Sequence, residues 1–159
     1  MVAGISPDLS NLESVRREFI IATAKYGCVD ILVNNAAVWN RHGKFMEIPV
    51  DEWKTYFDIN VMGAVYCTRA ALPGMVERKY GRIINVASVA GVYGIYSMSH
   101  YSATKGALIS FTKALATSLP HPTVGMIQIS LRMPTLPSWR WKPVKVLGAR
   151  FSGKASLGL

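Results

Sequence analysis

One apolar run, Ile83-Ile84-Asn85-Val86-Ala87, constrains the fold more than any other stretch; it ends at Ser88. It is β-branched, too short for a helix, and bounded by Gly81 and by a glycine-containing segment from Val89. Such a run reads as a buried strand. A second apolar run, Asp30-Ile31-Leu32-Val33, follows a helical stripe in which Leu12, Val15, Phe19, Ala22 and Tyr26 recur at steps of three and four. Ser10-Asn11-Leu12-Glu13 has the pattern of a capping box at the start of that helix, and Gly27 suits its C-cap. Val2-Ala3-Gly4-Ile5 reads as the end of a preceding strand. Strand, helix and strand at this length make a βαβ rhythm, which implies a parallel sheet.

Downstream, Trp39 to Pro49 reads as a loop carrying Arg41, His42 and Lys44. No Cys/His cluster accompanies His42, so it reads as a solvated loop histidine and no metal is expected. Asp51 is placed to cap a helix running through Trp53, Phe57, Val61 and Val65 toward Ala71, with Pro73 ending or kinking it. Val89 to Met98 reads as an apolar loop. A helix follows from Ser99 through Ala107, Phe111 and Leu115 to about Thr117, and Thr123 to Leu131 has strand character.

The chemistry concentrates around the first strand described. Ser88 stands at its C-terminal end, where open α/β sheets place their ligands. Thirteen residues on comes Tyr101, and Lys105 lies one turn further along the same helix face. An ammonium there favours the phenolate and is expected to lower the tyrosine's pKa from ~10 toward neutrality. With the Ser88 hydroxyl beside it, this geometry points to proton transfer to a carbonyl or from an alcohol.

Ser88 and Tyr101-x-x-x-Lys105, with the spacing between them, resemble the short-chain dehydrogenase/reductase family. Asn34-Asn35-Ala36-Ala37 resembles its N-N-A-G signature, with Ala37 in place of the last glycine. Asn60-Val61-Met62-Gly63 resembles its N-V-x-G element, and Asp8-Leu9-Ser10 its acidic adenine-contacting element. The likeness covers roughly residues 5–120 and is nearest in flavour to the 3-oxoacyl-carrier-protein reductases. It implies an α/β fold: an incomplete doubly wound, Rossmann-like parallel sheet lacking the N-terminal βαβ glycine-motif unit and the last strand. The family's T-G-x-x-x-G-x-G phosphate turn is not in this sequence.

The resemblance also implies an NAD(P)-dependent oxidoreductase moving hydride between a nicotinamide and a small carbonyl or secondary alcohol. Tyr101 would be the general acid/base. Lys105 would lower its pKa and hold the nicotinamide ribose. Ser88 would orient the substrate oxygen, and Asn60, at a helix irregularity, would support a proton relay. Asp8, Asn34, Ala36, Tyr101 and Lys105 would contact NADP or NAD, and the 89–98 loop would face the substrate. The two long helices, one with small Ala103, Gly106 and Ala107, would pair subunits into a homo-oligomer. The alternative is a catalytically inactive truncated variant that associates with full-length subunits.

Charge divides the chain. Residues 1–77 hold all nine carboxylates and a net charge of −2, whereas residues 78–159 carry no carboxylate and a net charge of +11. Two cysteines make no disulfide framework and suit a reducing, cytoplasmic setting. No cationic n-region precedes an apolar core, and the uncharged stretch Ile83–Thr104 carries too many polar groups to span a membrane. Residues 1–131 therefore read as a partial dehydrogenase/reductase domain. Residues 132–159 form a basic tail with three prolines and no regular period, expected to be poorly ordered. Its Trp139-Arg140-Trp141-Lys142 has a composition that stacks on bases or docks on membranes, but an unstructured or out-of-frame tail is the preferred reading over nucleic-acid or membrane binding.

A parallel sheet without its first two strands leaves apolar faces and edges wet. The chain expressed alone is expected to be of low stability or to associate. Sedimentation combined with a thermal scan tests this, and a cooperative transition of a monomer at ordinary temperatures would refute it.

Overall fold

The computed structural model describes residues 2–4, 7–39, 42–119, 124–131 and 148–152. Strand β1 (Val2–Gly4) leads through a turn into helix α1 (Leu12–Tyr26) and strand β2 (Cys28–Asn34). Helices α2 (Val50–Phe57) and α3 (Gly63–Glu77) flank a π-helical segment, Asp58–Met62. Strand β3 (Gly81–Ser88), the short helix α4 (Ala90–Tyr93) and helix α5 (Ser99–Ser118) follow. Strands β4 (Val124–Leu131) and β5 (Gly148–Ser152) complete the described elements.

These strands form one sheet in the order β1-β5-β2-β3-β4. β2 pairs parallel with β3, and β3 parallel with β4, in unbroken register from Gly81–Val124 to Ser88–Leu131. The expected incomplete doubly wound sheet is present, with one added feature. β5 lies antiparallel to both β1 and β2. The reading of 132–159 as a tail without regular structure is therefore corrected over Gly148–Ser152. The bare edges of β1 and β2 offer rows of backbone donors and acceptors, and an antiparallel strand satisfies both. Trp139 to Lys142 lie outside the described residues.

The core forms where the apolar stripe of α1 meets the sheet and α3. Val15, Phe19 and Ala22 of α1 pack with Val29, Leu32 and Ile83 of the strands and with Cys67, Ala71 and Met75 of α3. Several local expectations change. Asn11 rather than Ser10 caps α1, accepting from the Ser14 N–H at 3.0 Å. The Ser10 hydroxyl instead donates to Asp8 Oδ1. Gly27 does end α1, at φ +85°. Pro49, not Asp51, occupies the N-cap of α2. Pro73 does not end its helix, because α3 continues to Glu77. The lost N–H of an exposed proline weakens one turn without stopping a helix whose other face is buried. The segment 89–98 is not all loop but contains the turn of α4, closed by Gly94 at φ +71°.

Gly91, in that turn, brings two backbones together. A Cβ there would lie 2.5 Å from the Gly106 nitrogen and 2.5 Å from the Lys105 carbonyl carbon. The close approach expected of the small residues on α5 is thus used within the chain at Gly106. Gly91→Ala is expected to destabilise the fold by ~1–3 kcal/mol, because the added methyl meets backbone that cannot rotate away. Urea unfolding checks this; an unchanged midpoint would show that α4 shifts freely.

Candidate active site

Four buried polar side chains hold the central strands to the helices. The parallel register sets Asn34 beside Asn85. The Asn34 Nδ2 donates to Asn85 Oδ1 at 2.8 Å and to Thr68 Oγ1 of α3 at 3.3 Å. The Asn85 Nδ2 donates to Thr112 Oγ1 of α5 at 2.9 Å. One continuous path therefore ties α3, β2, β3 and α5, and all four residues are buried. Asn85, Thr68 and Thr112 were not singled out in the sequence. A lone amide inside an apolar strand is a usable signal, since a buried polar group demands partners.

Asn60 sits in the π segment, as the family resemblance anticipates, and is 2% exposed. Its Oδ1 accepts from the Val38 N–H at 2.7 Å. Its Nδ2 donates to the Val38 carbonyl at 3.0 Å and to Thr104 Oγ1 at 3.1 Å. Thr104 in turn donates to the Tyr101 carbonyl at 2.8 Å. Asn60 thus pins the segment that follows β2 to the helix that carries Tyr101 and Lys105. Thr104 is a further residue that the sequence did not reveal.

Ser88 ends β3 and is buried, its Oγ accepting the Ala90 N–H at 3.1 Å. Its side chain is also hydrogen-bonded to the Tyr101 phenol. Lys105 Nζ lies 5.7 Å from the Tyr101 ring centroid and donates to the Val86 carbonyl at 2.8 Å. The structure therefore brings Ser88, Tyr101 and Lys105 together. The expected direction of the Tyr101 shift is corrected: burial raises the phenol above its ordinary value, the Ser88 bond opposes this, and Tyr56 adds to it. Lys105 is only 3% exposed, and burial lowers it to about 8. Removal from water disfavours both charged forms, and a single carbonyl acceptor does not restore what the ammonium loses.

Behind Tyr101, the fully buried His100 packs on the Tyr56 ring at 4.0 Å between centroids, with its Nε2 3.7 Å from Glu52 Oε1. This contact holds the start of α5 against α2. The exposed side of α4 and the residues after it present Val92, Tyr93, Ile95 and Tyr96.

A cleft between the end of β2 and the π segment is lined by Leu9, Asn34, Ala36, Asn60, Gly63 and Cys67. It brings together Asn34 and Ala36 of the expected cofactor set. Asp8 is exposed and serves the turn before α1, accepting from the Ser10 N–H at 3.0 Å. Asn34 Oδ1 is a buried acceptor with no hydrogen-bond partner among the described residues. Burial pushes the Cys67 thiol up to about 12, so it is no thiolate nucleophile. Among the described residues no group of three or more His, Cys, Asp or Glu could hold a metal ion. No described helix is long and apolar enough to cross a membrane.

An open α/β sheet with a buried serine at a strand's carboxyl end, bonded to a tyrosine one turn from a lysine, defines the class. A family profile described as short chain dehydrogenase matches residues 1–135. The chain is 40% identical over 115 residues to 2-dehydro-3-deoxy-L-rhamnonate dehydrogenase (NAD(+)) of Sphingomonas sp., covering 72% of this chain and 46% of that protein. It is 34% identical over 115 residues to a 3-oxoacyl-[acyl-carrier-protein] reductase of Synechocystis sp., with the same coverage. Among solved structures, serine dehydrogenase from Escherichia coli superposes with a TM-score of 0.74 at 37% identity, covering 79% of this chain and 58% of that one. NAD+-bound xylitol dehydrogenase gives 0.77 at 31% identity, covering 80% and 49%. The chain belongs to the short-chain dehydrogenase family, and it spans about half the length of the curated relatives it matches.

Lys105 makes stability depend on pH in a defined sense. Its native pKa of about 8 lies below the ordinary 10.5. Between those values the unfolded chain keeps a proton that the native state has released, so this residue's contribution rises with pH. The full rise is about 3 kcal/mol. Cys67 and Tyr101, both held protonated in the native state, act oppositely from about pH 9 and pH 10 upward. The informative quantity is therefore the difference between two proteins. The stability advantage of Lys105→Met over wild type should shrink as pH rises from about 7.5 to about 10 in urea titrations. A constant difference would mean that Lys105 is charged in the native state.

Proposed function

We propose that this chain carries the proton-handling site of an NADP- or NAD-dependent oxidoreductase acting on a small carbonyl or secondary alcohol. The observation that supports this reading is the hydrogen bond between the Ser88 side chain and the Tyr101 phenol, with Lys105 one turn away. When bound, a nicotinamide supplies or accepts the hydride. Ser88 orients the substrate oxygen and Tyr101 passes it the phenolic proton. A phenol held above its ordinary pKa carries its proton at neutral pH, the form that can donate to a carbonyl oxygen. Asn60 positions Tyr101 through Thr104 and the Tyr101 carbonyl. Asn34 and Ala36 would line the adenosine side of the cleft, with Asp8 at its rim. Pairing through the two long helices would give a homo-oligomer, and a cytoplasmic setting suits the free thiols.

The residues present suit the two ends of a dinucleotide and not its middle. No glycine-rich turn leading into a helix N-terminus is found among the described residues. That observation favours a second reading, an inactive variant that associates with full-length subunits. Titration of NADH and NADPH fluorescence separates the two: saturable enhancement supports the oxidoreductase, and no binding at millimolar cofactor supports the inactive variant. In a protein that turns over, Tyr101→Phe should lower the rate by ~10²–10⁴-fold, the usual contribution of a positioned proton donor. Retained turnover would remove Tyr101 from the role.

A further inference from the structure

Tyr101 lies in the first turn of α5, and that turn has no capping side chain. Met98, at the N-cap, makes no side-chain cap bond, and the turn carries no carboxylate of its own. The first amides of a helix find no partner within it, so an uncapped first turn opens before the rest. Thr104, held by Asn60, secures the carbonyl side of Tyr101. The side toward the helix start needs a second hold if the phenol is to stay on Ser88.

His100, the residue before Tyr101, supplies it. This side chain is fully buried and meets three residues of α2. Its ring lies 4.0 Å from the Tyr56 ring and 5.9 Å from that of Trp53, between centroids, and its Nε2 is 3.7 Å from Glu52 Oε1. Glu52 and Tyr56 are one turn apart on a single face of α2. The Glu52 carboxylate therefore stands beside the start of α5, where negative charge is favoured. A buried imidazole with a largely buried carboxylate adds little net stability over an apolar pair of the same size. Such a pair contributes geometry instead, because it tolerates fewer placements than an apolar contact, which can slide.

We propose that His100 and Glu52 are positioning residues for Tyr101: their contact sets the rotation of the first turn of α5 and so keeps the phenol on the Ser88 side chain. The proposal rests on the reading of Tyr101 as proton donor, but what it requires is a placement and not turnover.

The test uses the full chain isotopically labelled at tyrosine Cζ, whose resonance reports the hydrogen bonding of the phenol. The Tyr101 signal is assigned by its loss in Tyr101→Phe. Near neutral pH, Ser88→Ala should move that signal. His100→Leu, which keeps apolar volume and removes the imidazole, should move it in the same direction. The two changes combined should move it no further than the larger of them alone, because both break one bond. Glu52→Gln keeps the shape of the side chain and removes its charge. It should behave as His100→Leu does, and it decides the matter if His100→Leu fails to fold. An unmoved Tyr101 signal in His100→Leu or in Glu52→Gln would leave these residues a role in packing alone and overturn the proposal. Shifts that add to that of Ser88→Ala, or no shift in Ser88→Ala itself, would overturn it too. NADH and NADPH are then titrated into the same samples. Shifts that do not add, found in a protein that binds neither cofactor, would keep the positioning role and reject the oxidoreductase reading.

Discussion

The parallel pairing of β2 with β3 is the constraint on which the rest depends. It places Asn34 beside Asn85, and their amides, with Thr68 and Thr112, carry one hydrogen-bonded path from α3 through two strands to α5. A buried amide left without partners costs roughly 1–3 kcal/mol, so a one-residue slip would be penalised at several groups together. The same register sets Ser88 at the carboxyl edge near the helix that holds Tyr101 and Lys105. Sheet order and site geometry thus follow from one strand pair.

Within the site, desolvation outweighs charge attraction. Proximity of Lys105 to Tyr101 suggests a phenolate stabilised by an ammonium. In the folded chain both groups sit in a buried corner, and each is pushed toward its neutral form. The Ser88 bond counters this for Tyr101 only in part. A site of this kind begins as a neutral phenol, and the tuning that spacing implies would need further polar or charged groups brought to it.

Much of the fold was legible in the residues because the signals are local. The stripe on α1, the span of α5, the strand character of β2, β3 and β4, and the irregularity at Asn60 all appear where periodicity or motif placed them. Misses at Ser10 and Asp51 arise from competition between near-equivalent local options, which packing decides. Thr104 and Thr112 were not legible, since a threonine within a helix has no pattern that announces which buried partner it meets. β5 was invisible for a related reason. Its five residues lie in a stretch of low periodicity, and they become a strand only because two bare edges stand ready to pair with them.

By itself the sequence determined the alternation of strands and helices, the serine at a strand's end, and a tyrosine and lysine one turn apart on a single helix. These depend on neighbours within a few residues, where backbone geometry leaves little choice. The tertiary structure decided which amides meet across the sheet, which way the Tyr101 pKa moves, and which strand fills the gap beside β2. Those outcomes depend on burial and on pairing between residues far apart in the chain, and no local pattern encodes them.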